Sequence, residues 1–492
     1  MDLELLKKVD FGEIDGYGDP NLEKYFLDND YWSQIIDKNV FFVVGKKGTG
    51  KSSIYRMIER EAKDKGCIVI NKDFGDFPFE KLLRLGDDDF AKPNQYQTVW
   101  KNLIYNLFVQ SIAKLEAHEC QGDANYQEIK EYSDAFLGRA IDLHKDIISR
   151  TTKKNGNLVI HGLGASFDNA TTNSFRHHDE YITDINSRLQ ELIVDFFVSV
   201  PISCKIIVQF DRLDDNYNQY QNVDEYYQSI ISLFKVVYSF NQQLRQKNIQ
   251  NAKVILYIRS DIMKAMSCRD AESSRWDDFR FDLNWNVNNM KEIYDSHLFK
   301  MVEKRIKSSG AEFVDKSFSD VFNIDQSTLH KCGIHTDIFK ALVYQTLFRP
   351  RDLINLLKIL QKRICEYNRF DEAIYRAALK KYSNWLVNTE IANEINPILQ
   401  EDYTHVIELL KLCGSRTMSV SAFTGRYNSV KHNFKMPPIK MLEYLYSVGI
   451  IENTWRDRNG RYLHRSVFRN YGDFERNQTF RIIPPVWNGL TV

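Results

Sequence analysis

The sequence lacks cysteines spaced to share a metal or a bridge. Its seven cysteines, at 67, 120, 204, 268, 332, 365 and 413, form no CxxC pair. That spacing excludes a zinc ribbon or finger, and the odd, scattered set predicts reduced thiols in a cytoplasmic protein. Long apolar runs are missing too: no segment approaches the roughly 20 apolar residues of a membrane helix. The opening MDLELLKKVDFGEIDGYGD mixes charges and has no apolar h-region, so no secretory leader and no membrane partner are expected. There is no excess of either charge, with 66 basic and 66 acidic residues, so nothing global points to nucleic acid or a lipid surface. Solenoid repeats and low-complexity linkers are absent. So are a nucleophile elbow, an HExxH helix and a nuclease-type carboxylate cluster. His177-His178 has no partner at metal-ligand spacing, and no separate effector domain is visible.

What remains is a chain of 492 residues with 43% hydrophobic and 27% charged residues, globular and long enough for two to four domains. Residues 39–44 (NVFFVV) form an apolar run before a glycine-rich turn, and 52–63 follow in helical spacing. CIVIN (67–71), KIIVQF (205–210) and KVILYI (253–258) are buried-type strands, and 279–283 is a candidate fifth. Strands separated by helical stretches predict an α/β fold with a parallel sheet covered on both faces. A long insertion, about 94–200, is mostly helical (96–115 and 179–198), and 153–172 is a hairpin or an irregular excursion. From 286 to 400 the pattern is helical. Beyond it, helices at 402–413, 418–427 and 437–447 precede strands at 449–454 and 462–468 joined by a turn ending in Asn459-Gly460. Three helices and a hairpin are the outline of a winged helix. The expected division is a lead-in packing on the core (1–38), an α/β core (39–285), a helical lid (286–400) and a winged-helix domain (401–492).

Gly45-Lys46-Lys47-Gly48-Thr49-Gly50-Lys51-Ser52 satisfies every fixed position of GxxxxGK[ST], with a strand before it and a helix after. Gly45, Gly48 and Gly50 let backbone N–H groups wrap phosphate oxygens at the positive end of the following helix. The predicted nucleotide-binding set is Gly45, Lys47, Gly48, Thr49, Gly50, Lys51, Ser52 and Ser53. Lys51 reaches the β- and γ-phosphates, and Ser52 ligates Mg2+. The fold expected is therefore a P-loop NTPase of the ASCE type, with ATP and Mg2+ as ligands.

Strand KIIVQF runs into Asp211-Arg212-Leu213-Asp214-Asp215. An aspartate at the C-terminal edge of a buried strand is where an open α/β sheet holds a metal, so Asp211 is the second Mg2+ ligand. Asp214 or Asp215 is placed to orient or deprotonate the attacking water. At the end of KVILYI, Arg259-Ser260-Asp261 would face the γ-phosphate; the plainer alternative is a helix-capping turn. Phe348-Arg349-Pro350-Arg351-Asp352-Leu353 opens a helix with proline in its first turn, and Arg349 or Arg351 can swing onto the phosphates. The candidate catalytic residues are Asp215, Asp214, Arg259 and Arg351.

The GKKGTGKS loop, DRLDD, IRSD, the LNW at 283–285 and RPRDL occur in an order that resembles bacterial P-loop ATPases of the STAND and AAA+ group, near KAP, NACHT and origin-recognition-type ATPases. The likeness covers about 20–490 and is nearest a bacterial family with a DRLDD Walker B associated with mobile elements and anti-phage defence. It implies a regulatory ATPase that works with a partner effector or as a homo-oligomer, Asp211 on magnesium and Asp214 or Asp215 on water. AAA+ enzymes usually carry glutamate directly after the first aspartate. Arg212 stands there instead, which favours a slow switch over a fast motor.

The C-terminal stretch 411–492 holds thirteen basic and five acidic residues, a balance of +8, so the rest of the chain carries −8. Arg456, Arg458, Arg461 and Arg465 lie near Trp455 and Tyr462, a pattern that can contact a phosphate backbone and stack on bases. The same basic face could instead close on an acidic body. Three readings compete: a nucleotide-gated switch in defence, a DNA-engaging loader or remodeller, and a scaffold that binds nucleotide without turnover.

Overall fold

The computed structural model describes residues 3–75, 77–87, 89–115, 120, 122–137, 143–154, 157–160, 180–213, 223–285, 287, 290–399, 402–412, 417–467 and 472–490. The chain divides into two compact units: 30–46 with 51–283, and 1–29 with 47–50 and 284–492.

The first unit is built on a parallel sheet of five strands: β1 (Phe42–Gly45), β2 (Ile68–Asp73), β6 (Ile206–Asp211), β7 (Ala252–Arg259) and β8 (Arg280–Leu283), in the order β2-β6-β7-β1-β8. The central strands β1, β6 and β7 are buried along their whole length, while β2 and β8 are partly exposed, as edge strands of a covered sheet should be. All five match the expected strands within three residues, and the candidate fifth pairs with β1. The helices Gln97–Ala113 and Ile182–Ser199 lie within the expected insertion, with Trp100 and Leu192 in the core. The expected hairpin is β3 (Thr151–Lys154) with β4 (Asn157–Ile160), joined by a short β5 (Glu180–Tyr181). The rest of 153–172 beyond residue 160 lies outside the described residues.

One buried cation helps to hold this unit. Lys253, at the start of β7, donates to the carbonyls of Ile35 (2.6 Å), Ile36 (3.0 Å) and Lys38, at the C-terminal end of the wide helical turn Trp32–Ile36. Burial, with the Lys205 ammonium nearby, pushes its pKa down to about 7, although Asp37 works the other way. An unfolded lysine keeps its proton to about pH 10.4. Between pH 7 and that value the unfolded state binds more protons, so stability rises with pH; below about 7 both states are protonated and the penalty is complete. Wild type should therefore gain about 1–2 kcal/mol over Lys253→Met between pH 7 and 9, read from urea midpoints.

The second unit is helical at its centre, with a second apolar core that runs from Leu6 to Leu490. The expected lead-in 1–38 is divided between the two units, with residues 30–38 in the unit that holds the sheet. Residues 1–29 belong to the helical unit, where Leu6, Val9 and Phe11 join its core. Long-range hydrogen bonds hold them there: on helix Pro350–Tyr367, Gln361 donates to the Leu6 and Val9 carbonyls (both 2.7 Å) and Lys358 to Gly12 (2.7 Å). Helices Asp402–Leu412, Val420–Ser429 and Pro438–Ser447 fall where expected, followed by β10 (Ile451–Arg456) and β11 (Tyr462–Arg465). The sheet there has four strands, β11-β10-β12-β9, because β9 (Thr417–Met418) and β12 (Thr479–Ile482) add to the hairpin. The chain ends in a helix, Pro484–Leu490, packed on helix Glu372–Trp385 and the wide turn Leu386–Ile391. Gly489 permits this approach, since a Cβ there would lie 2.7 Å from both the Ser383 carbonyl and Val387 Cγ2. The expected lid and C-terminal domain thus share one core.

Candidate functional site

The C-terminal ends of the central strands bring chemistry to one edge of the sheet, where parallel sheets bind ligands. Gly45 closes β1 in register with Arg259 of β7. Lys51 opens helix Lys51–Asp64, is largely buried, and turns its ammonium back to the carbonyls of Gly45 (3.0 Å) and Lys46 (3.3 Å). Ser52 and Ser53 stand in the same first turn, half-buried. Arg259, itself buried, holds Asp261 through Nε (3.0 Å) and Nη2 (2.6 Å). Partial burial works against the charged Asp261 carboxylate, but Arg259 and Lys51 together hold its pKa below the usual range. Arg259 is thus committed within its own turn rather than pointing as a lone cation.

Asp211 ends β6 and is buried. The next residue, Arg212, adopts a left-handed backbone (φ 59°), unusual for a residue with a Cβ. Its side chain turns to Asp73 at the end of β2 (2.9 Å). The arginine that replaces the expected glutamate is therefore a strut between two strand ends. Beneath them, Gln209 accepts from the Tyr257 hydroxyl (2.7 Å) and donates to Asn71 (2.9 Å) and the Tyr55 carbonyl (3.2 Å). Burial, and then the Asp211 charge, keep the Tyr257 phenol protonated far above its ordinary pKa. Asp214 and Asp215 lie outside the described residues, as do His177 and His178.

The tip of the glycine-rich loop, Lys47–Gly50, is held within the helical unit. Three successive carbonyls accept hydrogen bonds: Lys47 from Arg349 Nη1 (3.2 Å), Gly48 from the Arg351 N–H (3.4 Å) and Thr49 from Trp285 Nε1 (2.8 Å). In a trans peptide the N–H points opposite to the C=O. The N–H groups of Gly48, Thr49 and Gly50 are therefore each turned away from the donor that holds the preceding carbonyl. Gly48 and Gly50 make this possible with φ of 78° and 95°. A Cβ on Gly48 would also sit 3.1 Å from Arg351 Cβ.

The two candidate lid arginines differ sharply. Arg349 is 1% exposed and grips Asp352, 0% exposed, through Nε–Oδ2 (2.7 Å) and Nη2–Oδ1 (2.9 Å). It is preceded by Phe348 in a left-handed conformation (φ 56°), so the backbone itself is bent to aim Arg349 inward. Arg351 is half-exposed and only loosely held, with Nη1 3.4 Å from Glu390. Lys47 lies 3.9 Å from the same Glu390 oxygen. Arg349 is thus a structural lock, and Arg351 is the more exposed cation. Glu390 and Glu394 gave no signal in the sequence, because neither belongs to a motif and their partners lie about 40 or more residues away. Trp285 could be picked out only as part of the LNW element.

The architecture is a mixed α/β chain with a five-stranded parallel sheet and a helical C-terminal unit. Residues 296–389 match the model of a FunZ-associated C-terminal helical domain, to which this segment is similar. The match takes in Arg349, Arg351 and Asp352 and stops just before Glu390. A search of curated proteins finds no match. The six described cysteines form no disulfide, and among the described residues no helix is long and apolar enough to cross a membrane.

Proposed function

We propose that this chain is a P-loop ATPase that binds Mg-ATP on Gly45–Ser53 and works as a slow, nucleotide-gated switch. The observation that carries the reading is the row of three loop carbonyls tied back by Arg349, Arg351 and Trp285. It fixes the loop backbone with the N–H groups of Gly48, Thr49 and Gly50 opposite those donors, where they would meet an anion. Strand order supports it as well: β7 separates the loop strand β1 from β6, as in ASCE-type NTPases, and Arg259-Ser260-Asp261 follows the intervening strand. Lys51, with its ammonium folded over the loop, would bind the β- and γ-phosphates.

Magnesium prefers hard oxygen donors and takes few from protein, keeping water and phosphate for the rest. A Ser52 hydroxyl and the buried Asp211 carboxylate fit that demand. When bound, the ion would neutralise charge on the phosphates. Asp214 or Asp215 would orient the water, and Arg351 would supply a cation to the γ-phosphate. The strut formed by Arg212 leaves no carboxylate directly after Asp211, which supports slow turnover. The likeness of 296–389 to a FunZ-associated domain fits a mobile-element or defence role, which would be exercised through a partner effector or through nucleotide-dependent self-assembly.

One observation favours a second reading, a DNA-engaging ATPase with a winged-helix domain at 401–492. Tyr462 is 58% exposed, Arg456 stacks over it at 4.6 Å, and Arg458 and Arg461 are exposed on the same hairpin. The decisive experiment measures ATP turnover and particle mass with and without Mg-ATP and duplex DNA. A slow, DNA-indifferent rate with a nucleotide-dependent change in mass or shape supports the switch. DNA stimulation lost on reversing Arg456, Arg458 and Arg461 to glutamate supports the loader. Turnover no higher than in Lys51→Ala leaves only a non-hydrolysing scaffold.

A further inference from the structure

Glu390 stands among three cations that have different holds on it. Its Oε1 is 3.4 Å from Arg351 and 3.9 Å from Lys47, and its Oε2 is 3.8 Å from Arg349. Asp352 and Glu394 complete the group, the latter 3.9 Å from Arg349. Three cations thus face three carboxylates, and the cluster is balanced. Arg349 is spoken for by its short paired bonds to Asp352. Lys47 and Arg351 are part-exposed, and their contacts to Glu390 are longer. Both lie at the loop tip, Lys47 within it and Arg351 against Gly48. A carboxylate of 8% side-chain exposure therefore lies beside the two part-exposed cations that an incoming phosphate would draw on. Like charges in such partly buried surroundings repel strongly.

Glu390 also has a physical link to the end of the chain. It sits on Leu386–Ile391, against which helix Pro484–Leu490 packs, with Val387 beneath Gly489. Tyr382, fully buried on the preceding helix, feels the Asp352, Arg349 and Glu390 charges. A shift of the last helix must move Leu386–Ile391, because Gly489 leaves no slack between them.

We infer that Glu390 is an electrostatic latch, a carboxylate that competes with the nucleotide phosphates for Lys47 and Arg351 and whose grip is set by the packing of helix Pro484–Leu490. This rests on the proposed nucleotide reading. It makes the C-terminal region a regulator of ATP affinity through a residue outside the nucleotide-binding motif.

The test compares wild type, Glu390→Gln, Arg351→Gln and the double variant by equilibrium binding of Mg-ATP and of adenosine, with melting curves for each. Removing one negative charge should tighten Mg-ATP binding about tenfold and leave adenosine unchanged. The gain should vanish in the Arg351→Gln background. Gly489→Ala, which displaces the last helix, should shift Mg-ATP affinity in wild type and much less in Glu390→Gln. Binding in wild type that is unchanged or weakened in a folded Glu390→Gln protein overturns the latch alone. Binding that appears only in Glu390→Gln supports it. No binding in either protein overturns the nucleotide reading and the latch with it. If Glu390→Gln melts out of range, an Arg351→Gln protein with wild-type affinity likewise overturns the latch.

Discussion

Lys51→Ala should lower Mg-ATP affinity by at least about a hundredfold with the fold intact. Its ammonium is largely buried at the loop and donates to the carbonyls of Gly45 and Lys46. Charge-assisted hydrogen bonds to two phosphate groups are worth about 1.5–3 kcal/mol each. Losing both corresponds to about two to four powers of ten in affinity. Removing the lysine leaves no buried charge without a counter-charge, so the melting midpoint should move little. Lys51→Arg should not rescue, because a planar fork cannot fill the space of a compact ammonium between Gly45 and Lys46. Equilibrium dialysis with labelled ATP reads the result. Wild-type affinity in Lys51→Ala would remove the loop from the binding site altogether.

Arg349→Met should be the most destabilising single change in the helical unit. It leaves Asp352, 0% exposed, without the guanidinium that pairs with it, and removes one ion-pair contact of Glu394. Breaking a buried pair from one side costs about 3–5 kcal/mol. Arg349→Lys should recover only part, since one ammonium cannot make the paired contact. Removing both charges in Arg349→Met/Asp352→Leu should recover most of the stability, as well-packed apolar replacements of buried pairs do. That double variant separates structure from function. It still lacks the hydrogen bond from Arg349 to the Lys47 carbonyl, so ATP affinity should stay reduced although the unit folds. Denaturant unfolding and ATP binding on the same samples check both. A double variant with wild-type affinity would show that the loop tip does not need Arg349.

Much of the fold was legible in the sequence. The central strands announce themselves because burial on both faces demands continuous apolar runs, as in KIIVQF and KVILYI. The loop residues were legible because glycines at φ of 78° and 95° have few substitutes. β9 and β12 were missed: they are short, and their pairing is decided by partners 25 to 64 residues away. The packing of residues 1–29 with the helical unit also left no local trace, since it depends on Lys358 and Gln361 reaching main-chain carbonyls.

By itself, the sequence determined where each strand of the parallel sheet and the glycine-rich loop lie, because those depend on residue type and spacing along a few neighbouring positions. Only the tertiary structure decided what the charged residues do. Arg349 and Arg351 are two positions apart and read alike, yet one is sealed against Asp352 and the other leans loosely on Glu390. Arg212 reads as a broken motif and proves to be a strut to Asp73. The reason is physical. Apolar burial follows a local period that the chain itself displays, whereas the worth of a charge depends on its exposure and its partners, and these are set by segments distant in sequence.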